Sequence, residues 1–409
     1  MTGETARTVR GTSSRPRAHL GYVAAAVVFA IGMAGTTIPT PLYGLYREEL
    51  GFSELMVTVI FASYAVGVIA TLLLVGNHSD RVGRRPVLWA ALGFAAASAL
   101  CFLFEGGLPF LFAGRILSGF SAGLLSGAGT VTVLELARPE RKSRAGFAAT
   151  AANMGGLGCG PLLAGLLAQY APEPLTLPFL VHLGLVGVAC VIVLFLPETV
   201  EHPRLRTRLR PQGLYVPPEV RAVFAPSALA AFAGFALLGL FTAVAPSFVA
   251  QTLDITNHAV SGLVVFSVFL ASTVGQSCTA RMPGRVALPL GCLVLVLGLL
   301  LVGASLWAET LPLLVAGAVC GGIGQGLAFR AGLTAVGEAA PPAHRAATVS
   351  SFFVVAYTGI SLPVVGVGAL TMWLGLDAAG LIFTGCVTLL ATGTGLYLAR
   401  GIREGDQRS

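Results

Sequence analysis

The sequence predicts an all-α membrane protein of twelve transmembrane helices, arranged as two pseudo-symmetric six-helix halves with both termini in the cytoplasm. Three observations carry this expectation. Only 11% of the 409 residues are charged and 55% are hydrophobic, whereas soluble domains carry roughly 25% charged residues. Twelve apolar stretches are long enough to cross the hydrocarbon layer, which takes about 20 residues. The basic residues are also distributed as the positive-inside rule demands of a polytopic protein.

The twelve stretches cover residues 20–43, 54–75, 87–105, 110–134, 145–168, 178–196, 226–250, 259–279, 287–307, 311–336, 347–371 and 378–399. Counted from a cytoplasmic N terminus, 22 of the 25 lysines and arginines fall on cytoplasmic segments. Arg47 alone is placed outside, while Arg115 and Arg330 lie within spans. Shifting the helix count by one destroys this asymmetry. The net charge of +7 is therefore topological, and no nucleic-acid partner is expected; the partners are the lipid bilayer and a small-molecule substrate. The first apolar run continues through Pro39 and Pro41 to Tyr46, so it reads as a retained span rather than a cleaved signal. Seven scattered cysteines without a C-x-x-C pair read as packing residues, and neither metal nor cofactor is called for. Arginine outnumbers lysine 24 to 1 among abundant Ala and Gly, which points to a GC-rich bacterial genome and an inner membrane.

An internal repeat divides the chain. Residues 108–139 align with 311–342 at a constant offset of 203. Leu108, Pro109, Ala113, Gly114, Gly119, Gly123, Leu124, Gly129, Glu135 and Pro139 recur in this alignment, which sets the fourth helix opposite the tenth. Between the halves, residues 197–225 hold five arginines, five prolines and three glutamates and are too polar to span. The expected organisation is a cytoplasmic tail (1–19), a first half (20–196), a cytoplasmic linker (197–225), a second half (226–399) and a cytoplasmic tail (400–409). Parallel repeats joined in this way suit two bodies that rock about a central site, and the chain is expected to work as a monomer.

The loop between the second and third spans reads Gly76-Asn-His-Ser-Asp80-Arg81-Val-Gly83-Arg84-Arg85. It resembles the signature loop of major facilitator superfamily transporters, G-x-x-x-D-R-x-G-R-[RK], and departs from it only in carrying His78 where a small or apolar residue is usual. The resemblance covers about residues 20–400 and includes Pro197-Glu198-Thr199 after the sixth span. It implies that Asp80, Arg81, Arg84 and Arg85, with Gly76 and Gly83 permitting close backbone approach, lock the halves together on the cytoplasmic side in one state and release them in the other. Glu135 is expected to pair within the same cytoplasmic charge cluster. The corresponding loop of the second half, Gly275 to Arg285, lacks the acid.

Arg115 lies within the fourth span in Arg115-Ile-Leu-Ser-Gly119-Phe-Ser-Ala-Gly123, which resembles the superfamily's R-x-x-x-G-x-x-x-G pattern. A guanidinium at this depth costs at least ~2.5 kcal/mol, so it is expected to face a cavity or an acid. Its repeat mate is Ala318, so helix packing does not require the charge. Arg330 reads equally as a snorkelling residue, a partner of Glu338 or a substrate contact, and His182 as a structural histidine with its hydrogen bonds satisfied. On the fifth span, Gly156, Gly160, Pro161 and Gly165 resemble the antiporter motif of the superfamily, which implies export; small-residue packing explains the same glycines. Thr36, Thr37, Thr40, Tyr43, Tyr64, Asn153, Phe241, Thr242, Gln325 and Tyr357 are candidate cavity residues.

Catalytic chemistry is not indicated. Gly119-Phe-Ser121-Ala-Gly123 matches G-x-S-x-G, but inside an apolar helix rather than a strand-to-helix elbow, and no P-loop is present. No acid lies deep in any span. This departs from the best-known multidrug antiporters, which carry one on the first helix, and leaves Asp80, Glu135 and Glu54 as candidates for carrying protons. The reading is a secondary active transporter that exports small organic molecules, neutral or anionic, by alternating access and proton antiport. The alternatives are an uptake symporter or uniporter for a sugar or organic acid and, more remotely, a membrane sensor that transports nothing.

Overall fold

The computed structural model describes residues 21–75, 79–104, 106–200 and 213–406. Twelve helices among them are long and apolar enough to cross a membrane. They are α1 (Gly21–Leu50), α2 (Glu54–Leu74), α3 (Arg84–Leu103), α4 (Leu108–Glu135), α5 (Pro139–Tyr170) and α6 (Leu177–Phe195), followed by α7 (Pro218–Ala243), α8 (His258–Thr279), α9 (Gly284–Ala308), α10 (Leu311–Ala339), α11 (Arg345–Leu374) and α12 (Leu376–Arg400). An even number of spans returns the chain to the face where it began. We term that face the terminal face, and the opposite one the distal face.

The expected spans are present, with two differences in detail. Helix α7 begins at Pro218, eight residues before the apolar run at 226, because Pro217, Pro218 and Glu219 open its first turn as a 3₁₀ segment. Helix α1 is not continuous. It runs to Gly35, breaks into turns over residues 36–39, and resumes as a 3₁₀ turn and a helix over Tyr43–Leu50. Pro39 and Pro41 cause the break, since neither can donate to the preceding turn. Thr40 N–H then bonds to the Thr37 carbonyl, and the Thr36 carbonyl is left without its usual helical donor.

Lipid gives apolar side chains no reason to cluster, so helices associate here through close backbone approach at small residues. The internal repeat is visible in these contacts. A Cβ on Gly119 of α4 would collide with the Tyr64 carbonyl of α2, and one on its mate Gly322 of α10 would collide with the Val268 carbonyl of α8. A Cβ on Gly156 of α5 would stand 2.7 Å from the Ala30 carbonyl of α1, and one on its mate Gly359 of α11 would stand 2.6 Å from the Phe232 carbonyl of α7.

The two halves meet along α5–α8 and α2–α11, toward the distal face. A Cβ on Gly165 would collide with the His258 carbonyl, and one on Gly262 with the Pro161 carbonyl. At the other seam, a Cβ on Gly368 would collide with the Thr58 hydroxyl and crowd Leu55. The His258 N–H donates to the Gln169 side-chain carbonyl at 2.9 Å. Gly165→Val is therefore expected to force the distal seam apart at a cost of about 1–3 kcal/mol. Spin labels at Glu49 and Ala250, both exposed near the distal face, should report a longer mean distance; an unchanged distance distribution would refute the seam's dependence on that glycine.

Candidate functional site

A cavity of about 220 Å³ lies between the halves. Its walls come from α1, α2, α4 and α5 on one side and α7, α8, α10 and α11 on the other. They run from Thr36 and Phe61 to Leu134, Gly146 and Leu333, so the space extends to within a turn of the terminal end of α4. With the seams packed at the distal face, the cavity lies toward the terminal face.

Arg115 is the most deeply buried charge on the wall, at 2% exposure. Its Nη1 donates to the Thr36 carbonyl, the acceptor freed by the break in α1, and its Nη2 donates to the Phe61 carbonyl at 3.3 Å. The guanidinium also lies 4.9 Å from the Tyr64 ring centre and 5.2 Å from that of Phe61. Gly119 makes this possible, because one turn below Arg115 it lets α4 touch the backbone of α2 at Tyr64 and Gly67. Cation–π contacts of this kind contribute about 0.5–2 kcal/mol each and offset part of the cost of burial. No carboxylate among the described residues pairs with Arg115, and its Nε–H is buried without an acceptor.

Two π-helical turns shape the same side of the cavity. Leu125–Gly129 interrupts α4 and Ala151–Gly155 interrupts α5. Such bulges rotate the residues they contain, and here they hold Ser126 and Asn153 on the cavity wall. The Asn153 carbonyl oxygen has no donor. Tyr64, Thr36, Thr37, Thr242 and Tyr357 also line the space, and so does Arg330, for which the sequence left three readings open. No ion pair joins Arg330 to Glu338 among the described residues. Gln325, Tyr43, Thr40 and Phe241 are buried away from the lining. Gln325 is fully buried behind the wall and accepts from Ser272 at 2.6 Å; Ser272 in turn accepts from Gln276, which does line the cavity. Tyr43 lies beyond the break in α1, buried, with its hydroxyl unpartnered. His182 is not satisfied, since both ring nitrogens lack partners where it packs on Gly35. Ser126, Thr130, Gln276, Phe329 and Phe353 line the cavity without having been singled out in the sequence. Polar residues in apolar spans were the available signal for Ser126, Thr130 and Gln276, whereas the phenylalanines could not be told from lipid-facing ones.

The signature loop is built around Gly83, whose φ of +108° admits only glycine without strain. It starts α3 so that the N–H groups of Arg84 and Arg85 donate to the two Glu198 oxygens at 2.8 and 3.0 Å. A carboxylate at a helix N terminus suits the helix dipole, and Thr199 and Val200 N–H complete its shell. The Arg84 side chain forks onto Glu135 at 2.9 and 3.2 Å, and Thr199 donates to the same carboxylate. The Arg85 guanidinium donates to the Leu194 carbonyl, and Arg81 is exposed. All of these bonds fall within the first half, so they tie α3, α4 and the segment after α6 into one body. Gly76 and the Asp80 side chain lie outside the described residues. In α5, Gly156 and Gly160 face α1 while Pro161 and Gly165 face α8, so the glycine motif seats α5 between the halves. At the distal face Glu54 accepts from Ser247 and Gln251 of the second half and pairs with Arg47 of the first.

Two six-helix bundles enclosing a cavity between them, with packed seams on its distal side, form a carrier architecture. The chain belongs to the Major Facilitator Superfamily, whose profile matches residues 25–363. Multidrug resistance protein MdtL of Shewanella oneidensis is 41% identical over 69 residues, and that of Shewanella sp. strain ANA-3 is 39% identical over 69; the match spans 16% of this chain and 17% of either relative. Among solved structures, the fold is similar to the human organic anion transporter MFSD10 (TETRAN), with a TM-score of 0.64, 17% identity, and coverage of 93% of this chain and 100% of that one. It is also similar to a bacterial homologue of the human lysosomal transporter Spinster in an inward-facing, unoccupied conformation, with a TM-score of 0.67, 16% identity, and coverage of 95% and 98%.

The Arg84–Glu135 pair is half-shielded, with side-chain exposures of 7% and 35%. A double-mutant cycle of Arg84→Ala and Glu135→Ala is expected to return a coupling of about 1–2 kcal/mol in thermal unfolding, whereas additive effects would show that the fork contributes nothing.

Proposed function

We infer that the protein is a secondary active exporter of small organic molecules, neutral or anionic, working by alternating access in a bacterial inner membrane with its terminal face in the cytoplasm. The observation that carries this reading is Arg115, a buried cation without a counter-charge on the wall of the space between the halves. A charge kept in a span at such cost marks a substrate or ion pathway. The packed distal seams then correspond to an inward-facing state. The names of the MdtL relatives, and the organic anions for which MFSD10 is named, support export and an anionic cargo.

Among the described residues the cavity wall carries no Asp or Glu, so proton coupling is assigned to the carboxylates at its two ends. Glu54 joins the halves at the distal face, and Glu135 anchors Arg84 at the terminal face. Protonation of Glu54 would weaken the distal latch, and Asp80 with Arg81, Arg84 and Arg85 would engage the second half when the terminal side closes. The Gly156, Gly160, Pro161 and Gly165 surface would be the track on which α5 moves against α1 and α8. Gln325 would support the wall through Ser272 and Gln276 rather than touch cargo.

Cells expressing the protein are expected to accumulate less of at least one compound from a panel of labelled dyes, antibiotics and metabolites, and a protonophore should reverse the effect. Raised accumulation would reverse the direction of transport. Asp80→Asn is expected to leave insertion intact but slow transport several-fold, and wild-type flux in that variant would remove the loop's gating role. Glu54→Gln is expected to reduce protonophore-sensitive export, and full coupling in that variant would exclude Glu54 as a proton carrier.

A further inference from the structure

We propose that the cargo is an amphiphilic aromatic anion, its acid group seated at Arg115 and its ring system on an aromatic wall supplied by the second half. This rests on reading the cavity as a carrier site and names what the site selects.

The charge argument comes first. Among the described residues the wall carries Arg115 and Arg330 and no acid. The two carbonyls that hold Arg115 are dipoles, so its full positive charge remains, and its Nε–H is buried with nothing to accept it. A carboxylate or sulfonate supplies the missing charge and the missing acceptor together, and charge-assisted hydrogen bonds of this kind are short and strong. An organic cation would instead meet a like charge at a buried position, where screening is weaker than in bulk water.

The second argument is the arrangement of rings. A run of aromatic side chains begins beneath the guanidinium and crosses from one half to the other. Tyr64 lies 4.9 Å from Arg115, and its ring centre is 6.3 Å from that of Tyr357 on α11. Tyr357 leads to Phe235 at 5.6 Å and to Phe353 at 6.4 Å, and Phe235 leads to Phe329 at 5.2 Å. All five rings line the cavity. Centroid separations of about 4.5–7 Å suit stacked and edge-to-face pairs, so a flat ring entering the cavity meets partners of matching geometry. This wall is not a requirement of helix packing. At the offset of 203, Phe329, Phe353 and Tyr357 correspond to Ser126, Thr150 and Met154 in the first half, just as Arg115 corresponds to Ala318. The repeated scaffold is shared, but Arg115 has no cationic mate in the second half, and Phe329, Phe353 and Tyr357 have no aromatic mates in the first. A volume of about 220 Å³ is below the roughly 300–1,000 Å³ typical of pockets for drug-sized ligands, which favours a one- or two-ring acid.

The test is a binding ranking on the purified full-length protein in lipid nanodiscs, read by calorimetry and thermal shift. The probes are 2-naphthoate, 2-naphthalenesulfonate, 2-naphthalenemethanol, 2-naphthylmethylammonium and decalin-2-carboxylate. The two aromatic anions are expected to bind at least about tenfold more tightly than the alcohol, a difference of ~1.4 kcal/mol, and the ammonium should give no shift. Decalin-2-carboxylate, with the charge but no aromatic face, is expected to bind several-fold more weakly than naphthoate. Arg115→Gln should bring naphthoate and the alcohol to within about twofold of each other, while Arg115→Lys retains the preference. Phe329→Leu should weaken naphthoate and leave decalin-2-carboxylate unchanged. Equal binding of the alcohol or the ammonium, equal binding of the saturated acid, or binding of no probe would each overturn the proposal. If the arginine variants do not fold, the wild-type ranking decides. The accumulation assay uses no assumption about aromatic anions, so absence of export there, with naphthoate bound here, would remove the export reading and keep this one.

Discussion

The arrangement of the cavity follows from the need to hold one guanidinium almost wholly buried. Placing an arginine at the centre of a membrane helix costs at least ~2.5 kcal/mol, and each device around Arg115 reduces that cost. Pro39 and Pro41 interrupt α1 and free the Thr36 carbonyl. Gly119 brings the carbonyl of Phe61 and the rings of Phe61 and Tyr64 within reach. The break in α1, the glycine on α4 and the aromatic pair on α2 thus serve a single charge, although they are far apart in the sequence. What they leave unsupplied is an opposite charge, and that omission gives the cavity its selectivity on the proposed reading.

The two halves show how a duplicated fold diverges. Gly119 and Gly322, and Gly156 and Gly359, make equivalent contacts with carbonyls of equivalent helices. These positions define helix spacing, and a methyl group at any of them would collide with backbone rather than with a side chain able to move. Residues between them are free to differ. The first half uses that freedom for Arg115 and for π-helical turns that hold Ser126 and Asn153 on the wall. The second half, where α10 and α11 run without such interruptions, uses it for phenylalanines and for the neutral Ser272–Gln276–Gln325 chain.

Much of the fold was legible in the sequence because the bilayer imposes long apolar runs and an arginine asymmetry that composition alone reveals. The spacing of glycines in residues 108–139 and 311–342 also disclosed the repeat, since close helix contact leaves so few alternatives to glycine. Arg115 was legible for the same reason of cost. The cavity wall was legible in part, since polar residues such as Thr36, Tyr64 and Asn153 stood out in apolar spans and its phenylalanines did not. A phenylalanine facing lipid and one facing a cavity satisfy the same hydropathy, so Phe329 and Phe353 carried no mark. Gln325 was marked by its polarity, but a buried amide is as well satisfied by a neighbouring hydroxyl, here Ser272, as by cargo. The break in α1 was written in two prolines, yet their consequence, a free carbonyl at Thr36, emerges only when Arg115 on another helix is placed beside it.

The charged networks at the two faces do different mechanical work. Glu198, Glu135, Arg84 and Thr199 connect α3, α4 and the segment after α6 inside the first half. Glu54 connects the halves through Ser247 and Gln251. A bond inside one body stiffens that body and moves with it, so it need not break as the halves rock. A bond between bodies must break, and its strength sets part of the barrier to opening. Hydrogen bonds to a charged group contribute about 1.5–3 kcal/mol each, so neutralising a single carboxylate at the distal seam changes the balance between states by more than RT. The glycine contacts of the α5–α8 seam are made with backbone carbonyls, which do not titrate. On the proposed reading, the side-chain latch, and not the backbone contact, is the element through which a proton gradient would act.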